Sequence, residues 1–528
     1  MSQADAIGKA GMAAFTPVVI TAKNQKFNRD SYNSTIQSVA TEANAQGNLN
    51  IIADGGSLYS QGAQLSAGKD AQLAATQHII LDVAQDTQTQ DAHSQQKGWN
   101  IDTRDHIAPG GVYNNRELGD ANTQKQRATQ LSVGGTTNLY TEKGDINLIG
   151  TTIASQKDLA IAAAHDLNIT STQNSQNQSE IKTNRGIGSA QISDTEKFFG
   201  YMKGDHNNNS TGVEQQRAQV GSLEGNVNLT AGNNYNQKVA DVVAKQDLNI
   251  TAKQIHVLDD KNLGQQHQDD HDLKVGVFAK VTSPILDLID SVDKAHKSQA
   301  DDRTKALQVM ATGAQAYQLY DTANRVAQDA AALNAGKDAQ GATLLKAEAG
   351  IGYKTSKSQQ DNTMAQAQGN RLNAGNNLNL NSTEGDIHLQ NTQVNTQNNL
   401  TLNSARDILL ESGKTIEKGD GKNSNSGVSV GVGASVGAQT GAYIYAEAGF
   451  GKGSNHLDSQ THDNTHLNAT NIQINSQKNT TLAGAQATAE RIDANVGGHL
   501  NIISQQDHVE HDHLHSFVCC FVQHGLVG

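Results

Sequence analysis

A short motif recurs along this chain at intervals that are uneven but repeat from block to block. The motif is a small or polar residue, often followed by Asn or Asp, and then an apolar-x-apolar triplet. Clear copies are GNLNI at 47–51, HDLNI at 165–169 and GHLNI at 498–502. Because alternate residues of each copy point to the same side, each copy predicts a short, half-buried β-strand.

The intervals between the strands predict a coil. We mark each strand by its first inward residue. The marked strands fall into five blocks of four, and within a block the marked residues are separated by 8–9, then 12–13, then 7–8 positions. Alternate strands of a block therefore lie 20–22 residues apart, which is the length of one coil of a parallel β-solenoid. Stacked about 4.8 Å apart, equivalent strands would align their aliphatic side chains in ladders inside the coil. The marked residues are Leu49, Leu58, Ala71, Ile79; Thr137, Ile146, Leu159, Leu167; Val227, Tyr235, Leu248, Ile255; Leu378, Ile387, Leu400, Ile408; and Ile472, Thr480, Ile492, Leu500.

The composition agrees with a narrow core. Only 36% of the 528 residues are hydrophobic and 4% are aromatic, whereas a compact globular domain has roughly 45–50% apolar residues. Charged residues make up 18% of the chain, too few for a chain kept disordered by charge repulsion. We therefore predict an all-β fold, a parallel β-solenoid with 20–22 residues per coil.

Charge and cysteine content limit the possible partners and compartments. The net charge of −13 argues against a nucleic-acid partner, since binding a phosphate backbone requires a basic surface. The two cysteines, Cys519 and Cys520, are adjacent and close to the end of the sequence. No stretch approaches the roughly 18 apolar residues of a membrane helix. The start of the sequence lacks the basic-then-apolar pattern of a signal peptide.

An acidic or amide residue precedes many of the strands. These residues suit the corners of the coil, where a short polar side chain bonds backbone groups. We favour this structural role over catalysis. The residues are Asn48, Asp145, Asp158, Asp166, Asn226, Asp247, Asp386 and Asp407.

Long polar segments separate the blocks, at about 82–134, 170–224, 259–375 and 411–469, and we expect them to leave the solenoid as loops or hairpins. The Gly-rich run at 427–454 alternates small and apolar residues and predicts a hairpin pair. It lacks the GxxxxGK[ST] pattern of a phosphate-binding loop. Within 284–333, apolar residues recur every three to four positions after Pro284, which predicts a pair of helices.

These observations give a provisional domain map. Residues 1–46 are expected to be the end of a preceding insert, and 47–258 and 376–505 to be solenoid blocks with polar inserts. Residues 259–375 form the insert with the helical pair, and 411–469 the Gly-rich insert. Residues 506–528 are a His-rich tail of atypical composition.

Evidence for chemistry in the sequence is weak. The tail places His508, His511, His513 and His515 among carboxylates, and imidazoles at this spacing bind zinc or nickel weakly. Such clusters are more often simply solvated, so these four are weak metal candidates. HExxH and CxxC motifs are absent. We therefore predict no catalytic residues and no cofactor, and expect a protein that is not an enzyme.

The block pattern resembles the haemagglutinin-repeat region of filamentous-haemagglutinin-like two-partner-secretion exoproteins. This group includes surface adhesins and contact-dependent growth-inhibition proteins. The resemblance covers roughly residues 40–505. It rests on GDINLIGTTIASQKDLAIAAAHDLNITS at 144–171, GNVNLTAGNNYNQKVADVVAKQDLNITAK at 225–253, GDIHLQNTQVNTQNNLTLNSARDILLES at 385–412 and SGVSVGVGASVG at 426–437.

This resemblance implies a right-handed solenoid in a surface rod that mediates cell contact or toxin translocation. The implied partners are an outer-membrane two-partner-secretion transporter, acting on the full-length parent, and a receptor or envelope on the target cell. The implied location is secreted or at the bacterial surface. Because the secretion domain and the toxin-junction sequence of the group are not found, we expect a fragment or frame-shifted remnant. Two alternatives stay open. One is a β-helical enzyme acting on polysaccharides, which predicts three or more carboxylates, with Arg or Lys, stacked on adjacent coils of one face. The other is a remnant that is never exported.

Overall fold

The computed structural model describes residues 21–102, 110–193, 195–282, 343–437 and 441–525. These residues form four sheets of ten strands each, which we number β1 to β40 in chain order. This architecture confirms the predicted all-β solenoid. The predicted helical pair at 284–333 lies outside the described residues.

Three of the four sheets are parallel and form the solenoid, so each coil contributes one strand to each of three faces. Face one comprises β2 (Glu42–Ala45), β5 (Gln64–Ala67), β10 (Gln130–Val133), β13 (Thr152–Ser155), β18 (Ala218–Ser222), β21 (Ala240–Ala244), β26 (Asn370–Ala374), β29 (Thr392–Thr396), β34 (Thr465–Asn468) and β37 (Ala485–Thr488). Face two comprises β3 (Leu49–Ala53), β6 (Ala71–Ala75), β11 (Thr137–Thr141), β14 (Leu159–Ala163), β19 (Val227–Ala231), β22 (Leu248–Ala252), β27 (Leu378–Ser382), β30 (Asn399–Ser404), β35 (Asn471–Ser476) and β38 (Arg491–Val496). Face three comprises β4 (Leu58–Gln61), β7 (Ile79–Asp82), β12 (Ile146–Ile149), β15 (Leu167–Thr170), β20 (Asn234–Lys238), β23 (Gln254–Leu258), β28 (Ile387–Gln390), β31 (Ile408–Glu411), β36 (Thr480–Ala483) and β39 (Leu500–Ile503).

The residues marked in the sequence form two unbroken ladders. On face two each marked residue is paired in register with the next: Leu49, Ala71, Thr137, Leu159, Val227, Leu248, Leu378, Leu400, Ile472 and Ile492. On face three the ladder runs through Leu58, Ile79, Ile146, Leu167, Tyr235, Ile255, Ile387, Ile408, Thr480 and Leu500. The predicted inward assignment and coil length are therefore confirmed.

Face one was not anticipated from the motif. Its strands carry one aliphatic inward residue, such as Ile153 or Val394, and the next inward residue is often small or hydroxylated, such as Ser155 or Thr396. The aliphatic-x-aliphatic triplet is therefore missing from these strands, except in β10, where Leu131 and Val133 are both buried. The face-one strand accounts for the long step of 12–13 residues inside each block.

The turn from face three to face one inside each block requires a left-handed backbone. Glycine occupies it in three blocks, at Gly62, Gly150 and Gly484, with φ of 59°, 55° and 71°. Val239 and Asn391 occupy the equivalent turns with φ of 49° and 47°. Glycine adopts this region without steric cost, whereas a β-branched residue is strained there.

The fourth sheet contains the long segments between the blocks. It is antiparallel throughout, and we call it the hairpin sheet. Its strands have 16–26 residues, so the longest extend roughly 70–85 Å. They are β1 (Thr21–Ile36), β8 (Ala84–Asp102), β9 (Gly110–Arg127), β16 (Thr172–Ser193), β17 (Glu196–Gln216), β24 (Asp260–Thr282), β25 (Thr343–Gln368), β32 (Gly413–Gly437), β33 (Gly441–Asp463) and β40 (His508–Gly525).

Each hairpin leaves the solenoid after a face-three strand and returns before a face-one strand. For example, β8 begins just after β7 ends at Asp82, and β9 ends just before β10 begins at Gln130. The predicted inserts at 82–134 and 170–224 therefore each include a face-one strand at their C-terminal end. Both parts stack ten strands and are roughly 45 Å tall in the stacking direction. They differ in strand length, which is 4–6 residues in the solenoid and 16–26 residues in the hairpin sheet.

Candidate interaction surface

The two surfaces of the hairpin sheet differ because glycine and larger apolar residues alternate along its strands. In the half of the sheet remote from the solenoid, one surface, which we call the glycine face, is lined by glycine. Gly188, Gly200, Gly276 and Gly352 form a continuous row across β16, β17, β24 and β25. A Cβ on Gly276 would lie 2.3 Å from the Phe199 carbonyl oxygen and 2.6 Å from Gly200 Cα. The glycines thus mark positions where neighbouring strands leave no room for a side chain.

Aromatic rings cover the glycines. Phe198 and Phe278 are cross-strand partners, and their ring centroids lie 4.9 Å apart. Phe198 is fully buried although it lies in a sheet far from the solenoid core. Tyr443 lies over Gly433 in the same way, because a Cβ there would lie 2.3 Å from the ring. The glycines thus leave room for an aromatic layer whose rings come from β17, β24 and β33.

Buried charges accompany this layer. The Tyr443 hydroxyl donates a hydrogen bond to Glu348 Oε1 at 3.0 Å, and Lys346 Nζ lies 2.7 Å from the same carboxylate. Burial, and then the adjacent Glu348 carboxylate, raise the pKa of the Tyr443 hydroxyl. A second pair joins Lys354 to Glu196, with the ammonium above the Phe278 ring. These pairs neutralise the carboxylates that the aromatic layer buries.

The opposite surface, which we call the apolar face, carries large exposed hydrophobic side chains at the same level. Paired neighbours form a row through Val112, Ile187, Tyr201, Val275, Tyr353 and Val428. A second row runs through Val277, Ile351, Val430, Ala446 and Val522. Ile351 is 66% exposed and Val430 is 55% exposed. Contiguous exposed apolar surface is typical of surfaces that contact another molecule.

The half of the hairpin sheet nearer the solenoid is polar and contains cross-strand His–carboxylate pairs. His206 Nδ1 lies 2.9 Å from Asp270, and His456 Nδ1 lies 2.7 Å from Asp420. The hydrogen bond with Asp420 raises the pKa of His456. These pairs fix strand register where apolar packing is absent.

The corner acids have the structural role predicted for them. The Oδ1 atom of Asp158 accepts the backbone N–H of Asn226 at 2.8 Å, and Asn226 Oδ1 accepts the N–H of Asp247 at 3.1 Å. Each corner side chain thus binds the equivalent backbone amide of the next coil. At the corners leading into faces two and three of the described structure, at most two carboxylates follow one another. The three-carboxylate stack that the polysaccharide-enzyme alternative predicts does not occur at these corners.

Outward asparagines add ladders of their own. Asn168 donates to Asn147 and Asn236 donates to Asn168, each at 2.8 Å. Asn249 donates to Asn228 at 2.9 Å in the same manner on face two. Because each amide both donates and accepts, the outer surface of the coils is fixed without apolar residues.

The tail histidines lie on β40, the exposed edge strand of the hairpin sheet. His511, His513 and His515 share the glycine face, and the rings of His513 and His515 lie 4.7 Å apart. His508 points to the opposite face and lies 3.8 Å from Glu510. The structure therefore brings three of the four candidates together on one side of the strand.

Three other potential metal ligands meet at a solenoid corner. Asp145, His165 and Asp166 each offer a ligand atom, and these atoms lie within 4.8 Å of one another. His165 Nδ1 is 2.9 Å from Asp145 Oδ1. Burial opposes ionisation of Asp145, but hydrogen bonds from the Asp166 amide and His165 outweigh it and lower the pKa of the carboxyl. The sequence signal was the acidic corner residue recurring 21 positions later, directly after a histidine.

Comparison with known proteins identifies the repeats. The hemagglutinin repeat family matches residues 22–112, 112–221 and 351–516. The chain is 31% identical to the tRNA nuclease CdiA of Escherichia coli (strain STEC_O31) over 385 residues, covering 70% of this chain and 11% of that protein. It is 26% identical to the Toxin CdiA of Yersinia pestis over 380 residues, with coverage of 70% and 11%.

A third relative is shorter. The Deoxyribonuclease CdiA of Yersinia pseudotuberculosis serotype O:3 (strain YPIII) is 27% identical over 387 residues, covering 70% of this chain and 34% of that protein. The chain thus spans between about a tenth and a third of the length of these relatives. No solved structure matches the chain. The described residues contain no helix long and apolar enough to cross a membrane.

Proposed function

Because this chain belongs to the hemagglutinin-repeat family, we propose that it is a structural module of a secreted exoprotein that delivers a toxin to neighbouring cells by contact. The observation that carries the proposal is the match to three proteins named CdiA over 70% of this chain. Those proteins are named as a toxin or as nucleases. We assign the corresponding activity of the parent protein to a part other than these repeats.

The geometry gives the two parts of the module different roles. The solenoid is a rigid support, since every coil is tied to the next by three ladders of paired strands. The hairpin sheet projects from it and presents the apolar face. We assign this face to contact with the envelope of the target cell, because its rows of Val, Ile and Tyr are exposed rather than packed on the solenoid.

Export and partners follow from this role. The parent protein is proposed to cross the outer membrane through a two-partner-secretion transporter and to be displayed at the cell surface. The role of the chain is then mechanical and adhesive, with no reaction assigned to the repeats. This proposal competes with a remnant that stays in the cytosol.

The first experiment is antibody labelling of intact native bacteria, with and without external protease. Labelling that protease removes supports export and display. Signal that appears only after lysis would contradict the proposal and favour the cytosolic remnant.

A second experiment tests the contact surface in the parent protein. Val430→Asp and Ile444→Asp place charges on the apolar face, where both side chains are exposed, and should abolish killing of target cells in co-culture. The matched control is Asn423→Asp on the same strand as Val430, in the polar half of the sheet. Equal killing by the apolar-face variants and the control would refute the assignment of this face.

A further inference from the structure

We propose that Asp145, His165 and Asp166 form a binding site for a divalent transition-metal ion, with Zn²⁺ as the probe. Asp145 directly precedes β12 and Asp166 directly precedes β15, so the three side chains meet where two successive coils enter face three. A set of one imidazole nitrogen and two carboxylate oxygens suits zinc, and it leaves positions for water.

In each of the two carboxylates, one oxygen accepts the hydrogen bonds of the corner and the other does not. Asp145 Oδ1 accepts the N–H of Asp166 at 3.0 Å, and Asp166 Oδ1 accepts the N–H of Asn234 at 2.9 Å. Asp166 Oδ1 also accepts a hydrogen bond from Asn233 Nδ2 at 2.8 Å. The Oδ2 atoms take no part in these corner bonds. One oxygen of each carboxylate therefore holds the coil, and the other is available to a cation.

Imidazoles flank both of these oxygens. Asp166 Oδ2 lies 3.5 Å from His165 Nδ1, and Asp145 Oδ2 lies 3.5 Å from His78 Nδ1. His78 is already engaged, since its Nδ1 accepts the N–H of Asp145 at 3.0 Å. The His165 ring is 57% exposed and makes no backbone bond, although its Nδ1 is hydrogen-bonded to Asp145 Oδ1 at 2.9 Å. Zinc would replace that hydrogen bond at a ring that solvent can reach.

A second corner of the solenoid has an equivalent pair of carboxylates but an arginine in place of the histidine. Asp386 and Asp407 also follow one another on successive coils, and Asp407 N–H binds Asp386 Oδ1 at 3.0 Å. Arg406 occupies the position equivalent to His165, and its Nε lies 3.6 Å from Asp386 Oδ1.

These are the only two carboxylate pairs on successive coils at the described corners leading into faces two and three. At the second pair a permanently charged guanidinium balances the carboxylates. At the first pair the equivalent residue is His165, whose imidazole ring is a common metal ligand, whereas a guanidinium is not. A divalent ion would lie between this imidazole and the two carboxylates.

The test uses the whole chain, stripped with a chelator and titrated with Zn²⁺ at pH 7.5 by calorimetry and thermal unfolding. All proteins carry His508→Ala, His511→Ala, His513→Ala, His515→Ala, Cys519→Ser and Cys520→Ser, which removes the histidine cluster and both exposed thiols of the tail. We expect one bound ion and a higher Tm with zinc. His165→Ala should weaken binding by roughly tenfold or more and remove the zinc-dependent rise in Tm.

His165→Arg gives the sharper comparison, because it copies the corner at Arg406. It should abolish zinc binding while the metal-free protein melts no lower than the parent. The matched control His499→Ala alters an exposed corner histidine of face three and should leave zinc binding unchanged. Absence of zinc binding in the parent, or binding that survives His165→Ala, would overturn the proposal.

Discussion

Single residues decide the geometry of the coil at its tight turn. Gly150 has φ of +55°, and a Cβ there would lie 2.6 Å from Thr172 Cγ2. Asn391 and Val239 occupy the equivalent turn in other blocks with similar φ. The backbone conformation is thus imposed by the coil, and the residue must accept it.

We predict that Gly150→Ala lowers the stability of the protein by about 1–3 kcal/mol, because the left-handed turn and the nearby methyl group both oppose a Cβ. The matched control is Gly47→Ala, at a glycine of ordinary φ with no atom within 4 Å of the added Cβ, and it should leave the free energy of unfolding nearly unchanged. Denaturant unfolding followed by circular dichroism measures both. A Gly150→Ala protein as stable as the parent would show that the turn adapts.

A buried carboxyl at the junction of solenoid and hairpin sheet predicts a pH dependence. Burial raises the pKa of Asp259 to about 6, and its Oδ2 atom is shielded from solvent. Since the pKa of the folded state lies above the unfolded value of 3.8, this group favours the folded state at low pH. That contribution is lost as the pH rises from about 4 through about 6.

Asp259→Asn should therefore stabilise the protein at pH 7.5, by about 1–2 kcal/mol after allowing for solvent screening, and have little effect near pH 4. Thermal unfolding across this pH range measures the difference. Asp260→Asn is the control, because that neighbour pairs with Lys238 at 2.8 Å and should bring no gain. Equal pH profiles for the parent and Asp259→Asn would refute the assignment.

Among the elements, the ladder strands and the hairpin strands are stabilised differently. The solenoid strands are short, and they are held by fully buried aliphatic residues such as Leu167 and Leu400. The hairpin strands are long but bury little apolar surface outside the aromatic layer of Phe198, Phe278 and Tyr443. Substitutions in the two parts should therefore have separable effects.

Leu400→Asp and Leu167→Asp each place an unpaired charge in the narrow core, and we expect each to cost on the order of 4 kcal/mol. Thr401→Asp is the matched control, since its side chain points outward from the same strand. Denaturant unfolding gives the free energies. Near-normal unfolding of both Leu variants would contradict the inward assignment.

In the hairpin sheet, Gly276→Ala should disrupt the paired strands around the aromatic layer, because its Cβ would lie 2.3 Å from a backbone oxygen. Gly264→Ala is the control on the same strand and the same face, because a Cβ there would lie 3.7 Å from its nearest neighbour, the side chain of Met364. Limited proteolysis of the hairpin sheet should increase for Gly276→Ala alone. Identical cleavage of the two variants would show that the glycine row is not required for close packing.

The whole molecule is a one-dimensional stack whose central coils are better protected than its ends. Leu248 and Leu378 in the middle are fully buried, whereas Ile492 and Leu500 in the last coil are 47% and 49% exposed. In such a stack each coil is stabilised mainly by its two neighbours. The last coil has a neighbour on one side only in this chain.

Hydrogen exchange should follow this gradient. We expect the slowest amide exchange in β22 and β27 and the fastest solenoid exchange in β38 and β39. Peptide-resolved exchange measured by mass spectrometry tests this order. Uniform protection along the solenoid would indicate that the coils unfold as one cooperative unit.

Much of the solenoid could be predicted because its information is local and repeated. Alternation around residues such as Leu49 and Leu167 marks an inward face, and the step of 20–22 residues fixes which strands stack. Face one escaped detection because a residue such as Ser155 is buried without being apolar. The corner role of Asp158 was predictable, since a short acidic side chain before each strand has backbone amides within reach.

The hairpin sheet and the corner site required the tertiary structure. Tyr443 and Glu348 are 95 residues apart in the chain, and their contact depends on how separate hairpins pair. Alternation in the Gly-rich run at 427–454 predicted a hairpin pair but not which of its surfaces would be covered. Sequence alone determined the coil, because strand and turn signals act over a few residues. Only the packing of distant segments decided the glycine face, the apolar face and the meeting of His165 with Asp145.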